Sequence, residues 1–270
     1  YLLSNMPYGQ DGNITYESLE NKVNKNVTNI NKFVKEDDNE KVLYFAGCMT
    51  SLTPGISKAV ISILKKAGVR CDYMDKDGGL CCGRPMWMAG RLKEAKELIA
   101  KNTEIIMNSK ATVLLVSCPI CYKVFKEEYR LEGIRIVHHT EFFDELACSG
   151  RIRITGSGQR YVYHDPCELG RGCGIYEEPR RLIAAAGNMV EAKKNRKESI
   201  CCGGSLGSIS LSNEKRRPII ENALSNMTEN SPDTIITACP LCKSTFGRYS
   251  TIPVKDIAEI IDNQTITNQR

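Results

Sequence analysis

At 270 residues and 41% hydrophobic content the chain can bury two ordinary cores, while 37 basic against 32 acidic residues leave a net charge of +5 with no basic block, which argues against a nucleic-acid partner. Thirteen cysteines are an odd number, short of the density of a small secreted disulfide scaffold, and the vicinal pairs among them suit no unstrained bridge. No stretch approaches the roughly 18 apolar residues of a direct membrane span, and no charged-then-apolar signal segment opens the chain. The expectation is a cytoplasmic chain with reduced thiols, peripheral to a membrane only through a partner subunit. A start at Tyr1 rather than Met is compatible with a fragment or a processed product.

Residues 1–40 carry eight asparagines and few apolar clusters, and read as a linker or N-terminal arm. Val42 to Ala46 is an apolar run that predicts a strand; Cys48 follows in a turn, and a helical period runs from Ile56 through Leu64 and stops at Gly68. A second strand over Arg70 to Met74 leads into the Gly78-Gly79-Leu80-Cys81-Cys82-Gly83 turn. A helix is expected from about Gly90 to Asn108, a β-rich run over Thr112 to Ser117 delivers Cys118 at its carboxyl end, and Ile134 to His138 makes a further strand. The order then repeats. Tyr161 to His164 leads to Cys167, Glu178 to Ala186 is helical, and Asn188 to Ala192 is extended; Cys201-Cys202-Gly203 follows, then a helix from about Asn213 to Met227, then Thr234 to Thr237 leading into Cys239. Strands alternating with helices imply an α/β protein: two tandem Rossmann-like domains with parallel sheets and right-handed crossovers. Their expected bounds are 41–150 and 155–262. Ligands in such sheets sit at the carboxyl ends of the strands, where all the cysteine clusters fall.

Ten cysteines form two copies of one pattern. Cys48, Cys81-Cys82 and Cys118-Pro119-Ile120-Cys121 are answered by Cys167, Cys201-Cys202 and Cys239-Pro240-Leu241-Cys242. The first intervals are 32 and 33 residues and the second 35 and 36. Thiolates are soft donors that suit zinc or an iron–sulfur cluster. A tetrahedral zinc closes with four, so five per set favour a polynuclear centre, and an adjacent pair reaches two metal atoms more easily than it chelates one. Glycine after each pair permits a sharp turn. Proline in Cys-Pro-x-Cys suits a first helical position, which would set the cysteines against the free amides of a helix N-terminus. Zinc in one site stays open, as does a zinc-stabilised interaction module.

The doubled motif, together with Tyr163-His164-Asp165-Pro166-Cys167-Glu168-Leu169-Gly170-Arg171, resembles the cysteine-rich CCG-domain family over about residues 42–262. That family includes the catalytic subunit of heterodisulfide reductase and the iron–sulfur subunits of glycerol-3-phosphate dehydrogenase, glycolate oxidase and lactate-utilisation systems. The resemblance implies pseudo-twofold symmetry and an iron–sulfur oxidoreductase subunit with two non-cubane [4Fe-4S] clusters, held by the ten cysteines and facing one another. It implies disulfide reduction between the clusters, or an electron-relay role beside a flavin-dependent hydroxy-acid or glycerol-3-phosphate dehydrogenase linked to quinone. The partner would be a ferredoxin-type protein, a flavoprotein or a membrane cytochrome. Two departures stand out: no cysteine precedes Cys48, where relatives carry ferredoxin-like runs, and Glu168 occupies a position associated with histidine.

His164, just before a ligand cysteine, is a candidate hydrogen-bond or proton donor. Arg84 and Arg171 follow cluster cysteines, where a cation would bind a substrate carboxylate or offset cluster charge. His138 and His139 read as surface or structural, and Cys71, Cys148 and Cys173 as small buried hydrophobes.

Overall fold

The computed structural model describes residues 40–78, 80–204 and 211–266; of the arm expected over residues 1–40, all but Glu40 lies outside the described residues. The rest is an α/β structure of two similar halves, each built on a four-stranded parallel sheet.

In the first half β1 (Val42–Phe45) is central and buried on both faces, as an all-apolar run in a parallel sheet must be. It pairs with β2 (Cys71–Tyr73) on one side and β3 (Val113–Val116) on the other, and β3 pairs with β4 (Arg135–His138). The crossovers are helical. Helix α1 (Gly55–Lys66) buries Ile56, Ala59, Val60, Ile63 and Leu64, the spacing of one apolar face. After β2 come a short α2 (Arg84–Met88) and α3 (Leu92–Asn108), and after β3 comes α4 (Pro119–Glu128). Helix α5 (His139–Cys148) closes the half.

A short β5 (Arg153–Ile154) leads into the second half, which repeats the plan. Here β6 (Arg160–His164) lies between β7 (Asn188–Val190) and β8 (Thr234–Thr237), and β9 (Val254–Asp256) pairs with β8. Helices α6 (Gly170–Cys173) and α7 (Glu177–Ala186) precede β7, α8 (Asn213–Thr228) precedes β8, and α9 (Pro240–Phe246) precedes β9. The chain ends in α10 (Ile257–Gln264) and β10 (Thr265–Ile266), the latter antiparallel to β5. The expected elements are all present within a residue or two. Helices α5 and α10 and the β5–β10 pair were not anticipated, nor were strand β9 and the short helices α2 and α6.

Strand alternation divides the second sheet between two cores. Tyr161, Tyr163 and Ile236 face a core shared with the first half, whereas Val162 and Ile235 face a smaller core under α8 that includes Cys202, Cys239 and Cys242. Two of the unanticipated helices join the halves: α10 packs on α1, and α5 on α7. Lys66 Nζ meets Asp262 Oδ1 at 2.7 Å, and Arg181 grips Asp144 at 2.6 Å.

His138 and His139 are both fully buried, so they are structural and not surface residues. His138 caps α5. His139 Nε2 lies 3.2 Å from Asp256 Oδ1, which also accepts the Ala258 amide and so caps α10. Three sequence expectations are corrected: Cys148, the last residue of α5, is exposed, and Cys71 and Cys173 are only half-buried, because edge strand β2 and the short α6 leave one side open to solvent.

Asp256 therefore serves one half as a helix cap and the other as the partner of a buried imidazole. Replacing it with alanine should cost about 2–4 kcal/mol, combining a lost cap with an orphaned polar ring. D256N, which still caps, should cost less. Denaturant midpoints measure both, and an unchanged midpoint in D256A would reject the cross-half role.

Candidate metal centres

Gly47, between β1 and Cys48, has φ +84°, and a Cβ there would stand 3.1 Å from Cys121 Sγ. Only glycine lets the turn pass that sulfur. Asp75 fixes the turn by accepting the Ala46 and Gly47 amides at 2.9 and 2.7 Å. Cys48 then opens a single 3-10 turn, Cys48–Leu52.

Cys81 and Cys82 lie in the loop that Gly83 (φ 95°) turns into α2. Their carbonyls are held from behind: Asn102 Nδ2 donates to Cys81 O at 2.9 Å and to Tyr129 Oη at 3.0 Å, and Tyr129 Oη donates to Cys82 O at 3.1 Å. These positioning residues were not picked out from sequence, although a lone asparagine on the buried face of α3 was a usable signal. Cys118 is the N-cap of α4 with Pro119 at the first turn, as the motif predicted, and the nearby amides of Cys121 and Ile120 help to lower its thiol below the ordinary value, after the bond from Cys121.

The second half places Cys167 after β6, Cys201 and Cys202 before Gly203 (φ 72°), and Cys239 at the N-cap of α9. Gly204 N donates to Cys202 Sγ at 3.4 Å. Here ionic groups hold the loops. Arg171 Nη1 donates to the Ser199 and Lys197 carbonyls at 2.6 and 3.3 Å, ahead of Cys201. Buried Asp165 receives Arg180 through two bonds, at 2.7 and 2.8 Å, and Ser199 Oγ donates to the Asp165 carbonyl at 3.0 Å. Arg171 thus has a loop-holding role that its sequence position did not reveal.

The structure brings all five sulfurs of each set together. In the first set hydrogen bonds link Cys48 to Cys81, Cys81 to Cys82, Cys82 to Cys121 and Cys121 to Cys118. In the second the same chain runs through Cys167, Cys201, Cys202, Cys242 and Cys239, with Cys202 and Cys242 sulfurs 3.2 Å apart. Sharing protons splits the thiols. The bond from Cys48 lowers Cys81 to about 3, and the bond from Cys167 lowers Cys201 to about 2. The donors Cys48 and Cys167 are pushed up by that same bond and by burial. For Cys82 the bond to Cys121 pulls down, but the bond to Cys81 and burial raise it to about 12.

His164 lies beside this second set. One ring nitrogen is within 4.8 Å of the Cys202 and Cys242 sulfurs, and Nε2 is buried with no partner among the described residues. Burial lowers it to about 4, so it is neutral at pH 7. A cavity of about 200 Å³ is lined by Cys167, Cys202, Cys239 and Cys242 and closed by Arg84, Met88 and Ile120 of the first half. The residues Arg84 and Ile120 adjoin first-set cysteines, so the two sets lie near one interface. Glu168, also in the lining, meets Lys123 of the first half at 3.5 Å. Metal ions would displace the protons that such crowded thiols keep, and five sulfurs plus adjacent pairs fit a polynuclear centre in each half.

The cysteine-rich CCG domain family model matches twice, over residues 42–126 and 161–247. The chain is 29% identical over 249 residues to the EtfAB:quinone oxidoreductase of Syntrophomonas wolfei, covering 84% of this chain and 35% of that protein. It is 29% identical over 245 residues to one subunit of the dihydromethanophenazine:CoB–CoM heterodisulfide reductase of Methanosarcina acetivorans, covering 84% of this chain and 60% of that one. One subunit of the fumarate reductase (CoM/CoB) of Methanothermobacter marburgensis is 27% identical over 213 residues, 78% of this chain and 42% of that one. The chain thus spans between about a third and three fifths of these relatives' own lengths. Among the described residues no helix is long and apolar enough to cross a membrane.

Because Cys81 and Cys201 are lowered and exposed Cys148 is raised, chiefly by burial, the metal-free protein should show a pH-dependent labelling order. At pH 6 a lowered thiol is thiolate and a raised one is protonated, and only the thiolate attacks iodoacetamide. Cys81 and Cys201 should label at least about tenfold faster than Cys148 at pH 6, with the ratio shrinking toward pH 9 as Cys148 ionises. Peptide mass spectrometry after timed quenching reads this, and faster labelling of Cys148 at pH 6 would contradict it.

Proposed function

We propose that this chain, which belongs to the cysteine-rich CCG domain family, is an iron–sulfur oxidoreductase subunit with one polynuclear centre per half and that it reduces organic disulfides between them. The observation that carries the reading is a cavity lined by Cys167, Cys202, Cys239 and Cys242 of the second half and by Arg84, Met88 and Ile120, which neighbour the first set's cysteines in sequence. The ten cysteines would be the ligands, and the expected form is a non-cubane [4Fe-4S] cluster in each half. The proposed domain bounds remain 41–150 and 155–262.

Bound centres would supply one-electron steps and a seat for substrate sulfur. The chain's own residues do the rest. Amides at the N-terminus of α4 and around Cys202 direct partial positive charge at the sulfurs. Asp75, Asn102, Tyr129 and Arg171 hold the loops in register. His164 offers a neutral ring nitrogen beside Cys202 and Cys242, a hydrogen-bonding group and not a charge. The overall change, RSSR′ + 2 e⁻ + 2 H⁺ → RSH + R′SH, takes its electrons from a partner protein. Similarity to a protein named as a quinone oxidoreductase favours a second reading, in which the same centres relay electrons between such partners without a sulfur substrate.

Protein made and purified without oxygen should contain iron and acid-labile sulfide at about four each per centre. C82S and C202S should each lose about half of both. Zinc alone, at one or two per chain, would overturn the iron–sulfur reading. With a chemical reductant the loaded protein should turn over small disulfides. No turnover, together with fast electron exchange with a flavoprotein, would replace disulfide reduction by the relay role.

A further inference from the structure

The two centres are not equivalent, and the difference is built into the motif loops. Two residues beyond the second cysteine of each pair stand Arg84 in the first half and Gly204 in the second; one residue beyond the first cysteine of each set stand Met49 and Glu168. The second half cannot present an arginine at its position. A Cβ on Gly204 would lie 2.1 Å from Thr245 Oγ1, which is held by its bond to the Leu241 carbonyl at 2.8 Å. Arg84 therefore has no counterpart. Though it belongs to the first set's loop, its side chain lines the cavity of the second set, with Cys167, Cys202, Cys239 and Cys242 on the opposite wall. Among the described residues its half-buried guanidinium has no hydrogen-bond or ion-pair partner. By contrast, Arg171 donates to the Ser199 and Lys197 carbonyls and Arg180 to the Asp165 and Glu191 carboxylates. The nearest acid in the lining, Glu168, is turned to Lys123. Met88, Ile120, Pro166 and Leu241 make the rest of the wall apolar. A partly desolvated guanidinium at the mouth of an apolar cavity is a site for a small anion.

We propose that Arg84, carried by the first half, selects the small ligands that enter the cavity beside the second set, favouring those with an anionic group at one end and sulfur at the other. This rests on the reading that both halves hold iron–sulfur centres, and it deepens that reading by naming an entry point and the charge of the ligand.

The test uses anaerobically loaded protein and two probes of similar size, 3-mercaptopropionate and uncharged 2-mercaptoethanol, titrated against the visible and EPR spectra of the centres. The wild type should prefer the anionic thiol by about tenfold or more, and R84Q should bring the two within about twofold while leaving iron content unchanged. A preference that survives R84Q overturns the role of Arg84. The ligand variant C242S, on the cavity wall, should lose the response. Retention of the response in C242S overturns the placing of the ligand beside the second set. Iron analysis of every sample is made first: protein that takes up no iron at all overturns the cofactor reading itself, a result distinct from loaded protein that ignores the probes or fails to discriminate between them.

Discussion

Five sulfurs strung along a chain, each close to the next, repel as they ionise, and most of the local architecture answers that constraint. Each set draws its thiols from loops after three parallel strands, whose carboxyl ends necessarily lie along one edge of a sheet. The edge gathers the sulfurs but does not neutralise them. Helix N-termini supply part of the compensation through amides aimed at Cys118, and the remainder comes from protons shared along the chain from Cys48 to Cys118 and from Cys167 to Cys239. Such an arrangement is half-filled. Metal ions that displace the shared protons would convert a mixed chain of thiols and thiolates into a set of thiolate donors, so the protein's affinity for metal and its acid–base behaviour are one property.

Holding the loops against that repulsion is done twice by different means. In the first half Asn102 and Tyr129 take the Cys81 and Cys82 carbonyls, and the Asp75 carboxylate takes the amides before Cys48. In the second, Arg171 takes the Ser199 carbonyl and the buried Asp165–Arg180 pair anchors the turn before Cys167. Burying that pair is costly unless every lone pair finds a donor. The Arg196 amide to Asp165 and Glu191 to Arg180 supply the missing bonds. The two halves share a backbone plan and a sulfur pattern, but the supporting chemistry has diverged.

What was legible in the sequence follows from what is local. Strands such as Val42–Phe45 and Thr234–Thr237 show as short apolar runs, and the ligand pattern needs no structure to be seen because its spacing repeats. Helices α5 and α10 were missed for a physical reason. Their apolar faces are spent on the contact between halves and on short elements, so each offers barely two turns of periodicity. A signal was present at Asp256 and Glu259, a capping box with side chains answering each other's amides. The roles of the arginines were not legible at all. Arg84 and Arg171 occupy comparable places after ligand cysteines, and only the fold shows one bound to backbone carbonyls and the other facing a cavity.

The layer beneath the sulfurs shows how a duplicated site becomes two different sites without losing its frame. Under the first set Phe45 meets Phe125 edge to face at 4.9 Å; at the matching positions His164 meets Phe246 in the same way at 4.7 Å. Likewise Tyr44 bonds Ser117 at 2.7 Å, whereas Tyr163 faces a sheet in which Ala238 stands at the matching place and its hydroxyl has no partner among the described residues. Ring packing is conserved between the halves while hydrogen bonding is not. An imidazole fills nearly the volume of a benzene ring, so the exchange of Phe for His keeps the core intact and adds one polar atom next to Cys202 and Cys242. Because burial keeps that ring neutral, the two centres differ in the hydrogen bonds available to their sulfurs and not in the charge of the ring beneath them, and hydrogen bonds to sulfur are among the levers that set the potential of an iron–sulfur centre. An inequality of that kind would give electrons a direction between the two centres proposed for halves that the backbone makes alike.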